Sequence, residues 1–188
     1  PESSSKTLSG MMQPLKNIRV WRFGLYYFLV FGGFVALVNW LQPIYKNVYN
    51  LDKETAGMYV ATFVIASSVI RALGGYISDK VGARKVMYVV LILSLLISGG
   101  LIFWTSESVA VYVTIIILLG CVWGTGMAAV YKHIPDYFPQ EVGVVGGMVG
   151  VLGGLGGFVS PIVFGYLKDG TGLWASCWIL IAIVGWGL

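Results

Sequence analysis

Between Ala56 and Tyr76 the sequence carries one permanently charged side chain, Arg71, in a run otherwise free of charge. Asp79 follows eight residues later, which is roughly 12 Å of helix at about 1.5 Å per residue. A bilayer core is about 30 Å thick, so a span ending near Asp79 puts Arg71 close to the midplane. An arginine there costs about 2.5 to 3.5 kcal/mol even on translocon-based scales, and a partner has to offset it. The acids Asp79, Glu107, Asp136, Glu141 and Asp169 all fall in predicted loops. Two readings remain: a structural arginine satisfied by a buried carbonyl or carboxylate, or one that binds an anion. The planar guanidinium fork suits a planar oxyanion, because it reaches two oxygens at once.

Two further groups belong at the same depth. A later apolar run holds Gly153, Gly154, Gly156 and Gly157, a cluster denser than helix packing alone requires; exposed backbone or a bend there would line a site or form a hinge. Tyr27 and Phe31 lie one helical turn apart, with Phe34 on the next turn. Such a stripe is commonly packing, yet aromatic rings around a planar ion would exclude water and sharpen the arginine's field. His133 belongs to a predicted loop. Cys121 and Cys177 lie inside apolar runs, without metal-ligand spacing, and are read as free thiols. No metal site, cofactor or carboxylate pair for an enzyme emerges from the pattern.

The elements that position these residues follow from composition. Of 188 residues 57% are hydrophobic, 11% charged and 26 are glycine, a balance that fits an all-α polytopic membrane protein and not a soluble domain. The formal charge of +4 sits in juxtamembrane stretches with no basic stripe, which argues against a nucleic-acid partner. Residues 1–20 are polar and serine-rich, as in a cytoplasmic loop approaching the membrane; residues 21–188 are read as six spans. The spans run over residues 23–44, 56–77, 86–104, 109–130 and 142–167, with the sixth starting near Leu173. The sixth is cut by the end of the sequence at Leu188, so the chain is read as part of a longer one. Turns are expected at 75–85, 105–108, 131–141 and 168–172. Lys6, Lys16, Arg19, Arg22, Lys80, Arg84, Lys85 and Lys132 fall on one side and Lys46, Lys53 and Lys168 on the other, which puts both ends in the cytoplasm. The motif G-Y-x-x-D-x-x-G occurs at Gly75–Gly82 and again, ninety residues on, at Gly165–Gly172. The two copies lie on opposite membrane sides, as in a 3+3 inverted repeat.

The segment 75–85 also resembles the cytoplasmic loop motif of the major facilitator superfamily, G-x-x-x-D-[RK]-x-G-x-[RK]-[RK], through Gly75, Asp79, Lys80, Gly82, Arg84 and Lys85. Its physical logic is a carboxylate at a helix end held by bases, a latch that breaks when the open side changes. Within that superfamily the chain resembles the nitrate/nitrite porters. The likeness rests on the segment Ser68 to Asp79, the inner loop Ile134-Pro-Asp-Tyr-Phe-Pro139 and the glycine run Gly146 to Gly157. It implies the C-terminal half of a twelve-span transporter of the cytoplasmic membrane, working by alternating access on nitrate or nitrite. It implies that Arg71 is one of two anion-binding arginines, that Gly153, Gly154, Gly156 and Gly157 contribute to the site, and that Tyr27 and Phe31 are the family's aromatic pair. The second arginine would belong to an N-terminal six-helix half. The family contains proton symporters and nitrate/nitrite exchangers; the inner loop looks closer to the proton-coupled branch. A carrier of another small organic anion and a six-span structural or regulatory membrane protein stay open beside this reading.

Overall fold

The computed structural model describes residues 13–103 and 108–187, and every regular element among them is helical. A single 3-10 turn, Gln13–Lys16, leads into α1, Ile18–Val48, which contains a π-helical turn at Phe28–Gly32. There follow α2 (Lys53–Val81), α3 (Ala83–Phe103), α4 (Val109–Tyr137), α5 (Val142–Thr171) and α6 (Ser176–Trp186). The first five are long and apolar enough to cross a membrane, and α6 is a shorter apolar helix of 11 residues. The expectations for residues 1–12, for Trp104 and Glu107, for most of the 105–108 turn and for Leu188 fall outside the described residues.

Local chemistry sets the helix ends. Asp52 caps α2, its carboxylate accepting the Thr55 N–H at 2.9 Å, and these bonds hold its carboxyl below the usual range. The two copies of the repeated motif end their helices alike. Gly82 takes φ +95° and donates its N–H to Ser78 O at 3.0 Å; Gly172 takes φ +72° and donates to Lys168 O at 2.7 Å. Only glycine adopts such φ freely, so the final glycine of each copy has the same physical duty.

The packing follows the same symmetry. The chief partner of α2 is α4, and α5 packs chiefly along α1, while α3 lies against α4 and α6. Exchanging α1 with α4 and α2 with α5 maps one main pairing onto the other, as an inverted repeat requires. Small residues make the close approaches: an added Cβ at Gly74 would come within 2.8 Å of Thr125 Cα, and one at Gly120 within 2.8 Å of the Phe63 ring. Trp123 is fully buried, and its indole N–H donates to Ser94 Oγ at 3.0 Å. Of the five long helices α2 is the least buried, with Met58, Ile65, Val69, Leu73 and Tyr76 all exposed. So much uncovered apolar surface belongs against lipid or a further helical layer.

Three turn expectations are corrected. The charged segment 75–85 is mostly helix, with Gly82 alone separating α2 from α3. The inner loop 131–141 is helical to Tyr137, and the Phe138 N–H closes its last turn on Ile134 O at 2.9 Å. The outer turn 168–172 is helical to Thr171. The cause is common to all three: charged residues end an apolar pattern, but they do not interrupt i to i−4 hydrogen bonding once the helix leaves the membrane.

The topology predicts opposite labelling of single-cysteine variants in intact cells. Lys46→Cys should react with an impermeant maleimide from outside, and Lys80→Cys only after permeabilisation. Ready external labelling at position 80 would overturn the orientation.

Candidate anion-binding site

Arg71 projects from α2, and its Nη2 donates to the Tyr27 hydroxyl on α1 at 3.2 Å. Tyr27 is buried, and its ring stacks on that of Phe31 with centroids 5.0 Å apart and planes within 6° of parallel. The π-helical turn begins at Phe28, between the two rings, and closes on the glycine pair Gly32 and Gly33. Such one-turn insertions are frequent at functional positions. Here the turn brings Gly32 onto α5, where its added Cβ would come within 2.6 Å of Gly156 Cα.

The glycines of α5 divide by face. A Cβ on Gly153 would run into the Tyr27 ring and come within 3.1 Å of Phe31. Gly156 meets the Phe28 carbonyl oxygen at 2.8 Å and Gly32 Cα at 3.0 Å, and Gly157 meets Val35 at 2.8 Å, each by the same construction. Gly154 faces open space with nothing within 4 Å. The structure therefore brings Arg71, Tyr27, Phe31 and Gly153 together, uses Gly156 and Gly157 to seat α5 on α1, and leaves Gly154 on an exposed face. Phe34 departs from the pair and stacks on Phe63 of α2 at 5.2 Å.

Tyr131 is a site residue that the sequence reading missed. Its ring meets Tyr27 edge-on at 5.2 Å, and its hydroxyl donates to Gly146 O at 3.4 Å. The segment 131–141 is read from the sequence as a turn; because α4 continues two more turns, Tyr131 instead lies on that helix, partly exposed and against the Tyr27 ring. Residues of α2, α4 and α5 thus meet around Tyr27, the phenol that holds Arg71.

Arg71 is exposed on the surface of the bundle, and no carboxylate lies within ion-pair distance of it among the described residues. Its described polar partner is a neutral phenol, which satisfies one N–H and none of the charge. A guanidinium with donors to spare beside a flat apolar stack is suited to hold a small planar anion. Among the described residues no three His, Cys, Asp or Glu side chains are grouped to hold a metal. His133 is buried at the far end of α4, its Nδ1 2.9 Å from Asp136 Oδ2 and its ring edge-on to Phe23 and Tyr137.

At the end of α2, both oxygens of Asp79 accept from Lys132 Nζ at 2.8 Å. The base comes from α4, 53 residues away, and not from the motif's own lysines and arginine. Lys80 lies over the Tyr76 ring at 4.6 Å and Arg84 over the Tyr88 ring at 5.8 Å. Lys132 carried no local signal for this role, because it was read as one more loop charge.

A helical bundle with internally inverted pairing, an arginine at membrane depth and a charged clasp at one helix end defines a multi-pass membrane protein of the transporter type. Residues 5–187 match the Major Facilitator Superfamily, and the chain belongs to that superfamily. It is 44% identical to the "Probable nitrate/nitrite antiporter NarK1" of Thermus thermophilus, over 87% of this chain and 41% of that protein. It is 33% identical to the "Probable nitrate transporter NarT" of Staphylococcus haemolyticus, over 90% of this chain and 43% of that protein. A "Nitrite extrusion protein" of Bacillus subtilis is 29% identical, over 85% of this chain and 40% of its own length. The chain spans about two-fifths of the length of these relatives.

The two faces of α5 predict different responses to one substitution. Gly156→Leu forces side-chain atoms into the α1 backbone, and overpacking of this kind costs about 1–3 kcal/mol or more. Gly154→Leu meets nothing and should stay within about 0.5 kcal/mol of the parent. Thermal unfolding of the detergent-solubilised proteins should therefore show a lowered midpoint for Gly156→Leu alone; equal midpoints would refute the close α1–α5 contact.

Proposed function

We propose that this chain is the C-terminal half of a secondary transporter that carries nitrate and nitrite by alternating access, with Arg71 as an anion-binding residue. The observation that carries the reading is electrostatic. A permanent charge at membrane depth has a phenol as its described partner and no carboxylate among the described residues, so its counterion is the cargo. A trigonal oxyanion is flat, offers paired oxygens to the fork and fits against the Tyr27–Phe31 stack. The names of the relatives, a nitrate/nitrite antiporter, a nitrate transporter and a nitrite extrusion protein, support the same cargo. In this reading a second helical half covers the exposed face of α2 that bears Arg71, and supplies the remaining contacts to the anion. The Asp79–Lys132 pair, with Gly75, Lys80, Gly82, Arg84 and Lys85 around it, is the latch that opens and closes during the cycle.

The coupling follows from the same charge. Arginine stays protonated at every accessible pH, and this half brings no titratable carboxylate to Arg71 among the described residues. Proton symport would need a titratable group from elsewhere in the protein. Exchange needs none, because an arginine stripped of its anion resists passage through the closed state and an arginine with one does not. We therefore place nitrate/nitrite exchange first. Proton-coupled uptake remains the second reading, favoured by the likeness of the inner loop Ile134 to Pro139 to that branch of the family.

Arg71→Lys keeps the charge and loses the fork. In the full-length transporter, nitrate uptake should fall roughly ten- to hundredfold, the worth of one hydrogen bond to a charged group at about 1.5–3 kcal/mol, with normal membrane expression. Uptake equal to the parent's would remove Arg71 from the site. The coupling is separated in proteoliposomes, loaded with nitrite or empty, given external nitrate with and without an inward proton gradient. Exchange predicts uptake that requires internal nitrite and ignores the gradient; gradient-driven uptake into empty vesicles would reject it in favour of symport.

A further inference from the structure

A cavity of about 310 Å³ opens where the start of α1, the start of α3 and the end of α4 meet. Arg71, Tyr27 and Phe31 form none of its wall. Its rim is basic: Arg19 and Arg22 come from the first turns of α1, and Arg84 comes from the first turn of α3. The arginines are set by aromatic neighbours, Arg19 lying over the Tyr137 ring at 4.7 Å and Arg84 over Tyr88 at 5.8 Å. The three helices carry one acid between them, Asp136, which lies 2.9 Å from His133 Nδ1. Among the described residues no carboxylate is within ion-pair distance of Arg19, Arg22 or Arg84. Three guanidinium groups thus converge on one cavity without an internal counterion.

The wall changes character with depth. Inward from the arginines the wall gains apolar surface through Phe23 on α1 and Met87 and Leu91 on α3, with Tyr26 and His133 as polar members beside them. The charged rim lies at the helix ends that the positive-inside rule assigns to the cytoplasm, and the apolar wall runs from there towards the bilayer interior. A soluble anion would use the rim and leave Phe23, Met87 and Leu91 uncovered. A molecule with a phosphate at one end and acyl chains at the other uses both, because arginine forks take phosphate oxygens in pairs and the apolar wall receives the chain. Basic pockets between helices on the cytoplasmic side are suited to acidic headgroups.

We propose that this cavity binds the phosphate headgroup of an anionic phospholipid of the cytoplasmic leaflet, with Arg19 and Arg22 as principal contacts and Phe23, Met87 and Leu91 against the chain. Arg84 contributes the third charge, but it also belongs to the loop motif, so the test leaves it in place.

The test is native mass spectrometry of the full-length transporter in detergent, titrated with phosphatidylglycerol or phosphatidylcholine. The parent protein should retain phosphatidylglycerol in preference, and the retention should fall as ionic strength rises. Arg19→Gln with Arg22→Gln should weaken phosphatidylglycerol binding roughly thirtyfold, the value expected for two basic residues at a membrane surface. Arg19→Lys with Arg22→Lys keeps the charge and loses the forks, so its loss should be smaller than that of the double glutamine variant but measurable, and Lys46→Gln on the opposite side should change nothing. Equal retention of the two lipids by the parent overturns the proposal, whatever the variants do. So does parent-like binding by the double glutamine variant. Glycerol phosphate or inorganic phosphate displacing the lipid at equal concentration would place a soluble anion in the cavity, and would likewise overturn the lipid assignment.

Discussion

The constraint on which the structure depends is an arginine held at membrane depth by a phenol. A carboxylate in place of Tyr27 would neutralise Arg71 permanently and leave no attraction for an anion. An aliphatic residue there would leave the guanidinium without an orienting contact. The tyrosine hydroxyl at 3.2 Å accepts one N–H and fixes the side chain while leaving the positive charge unspent. In the proposed transport reading Arg71 is therefore poised to bind an anion, and the exposed face of α2 that carries it is the face on which a second half would close.

That arrangement is possible because α1 and α5 approach to backbone contact. Tyr27 is buried with its ring parallel to Phe31, and the space beneath the pair is Gly153. A methyl group there would displace the ring that orients Arg71. One turn on, Gly32 and Gly156 meet backbone to backbone, and the π-helical turn Phe28–Gly32 ends in the residue that makes this contact. The glycine run of α5 and the aromatic pair of α1 are thus two sides of one device: the glycines set the distance between the helices, and that distance sets the rings.

Much of this was legible in the sequence because it depends on residue type at fixed helical spacing. Arg71, Tyr27 and Phe31 could be placed at one depth by counting residues, and the repeated G-Y-x-x-D-x-x-G marked two helix ends that both close on a glycine of positive φ, Gly82 and Gly172. What escaped depends on three-dimensional direction. Gly153 and Gly154 are equivalent in a list, yet successive helical residues point about 100° apart, so one underlies the aromatic pair and the other faces away. Tyr131 and Lys132 were read as loop because charge and proline follow Val130, whereas α4 continues through Pro135 to Tyr137. The partner of Asp79 lies 53 residues along the chain, beyond the reach of any local pattern.

Those two misread residues join the site to the helix end. Tyr131 touches Tyr27 and the α5 backbone; Lys132, next along α4, grips Asp79 on α2. On α2, Arg71 and Asp79 are eight residues apart, so one rigid helix is tied at two levels, to α1 through a phenol and to α4 through an ion pair. The strengths of these ties differ from that of the contact beside them. Both members of the Asp79–Lys132 pair are about half exposed, and such pairs contribute about 0 to 1 kcal/mol, little enough to break and re-form during a conformational cycle. The α1–α5 contact is backbone against backbone and cannot slide without steric conflict. Movement within the bundle is therefore most readily taken up at α2, whose outer face is uncovered and whose ties are weak, while α1 and α5 keep the Tyr27–Phe31 stack intact.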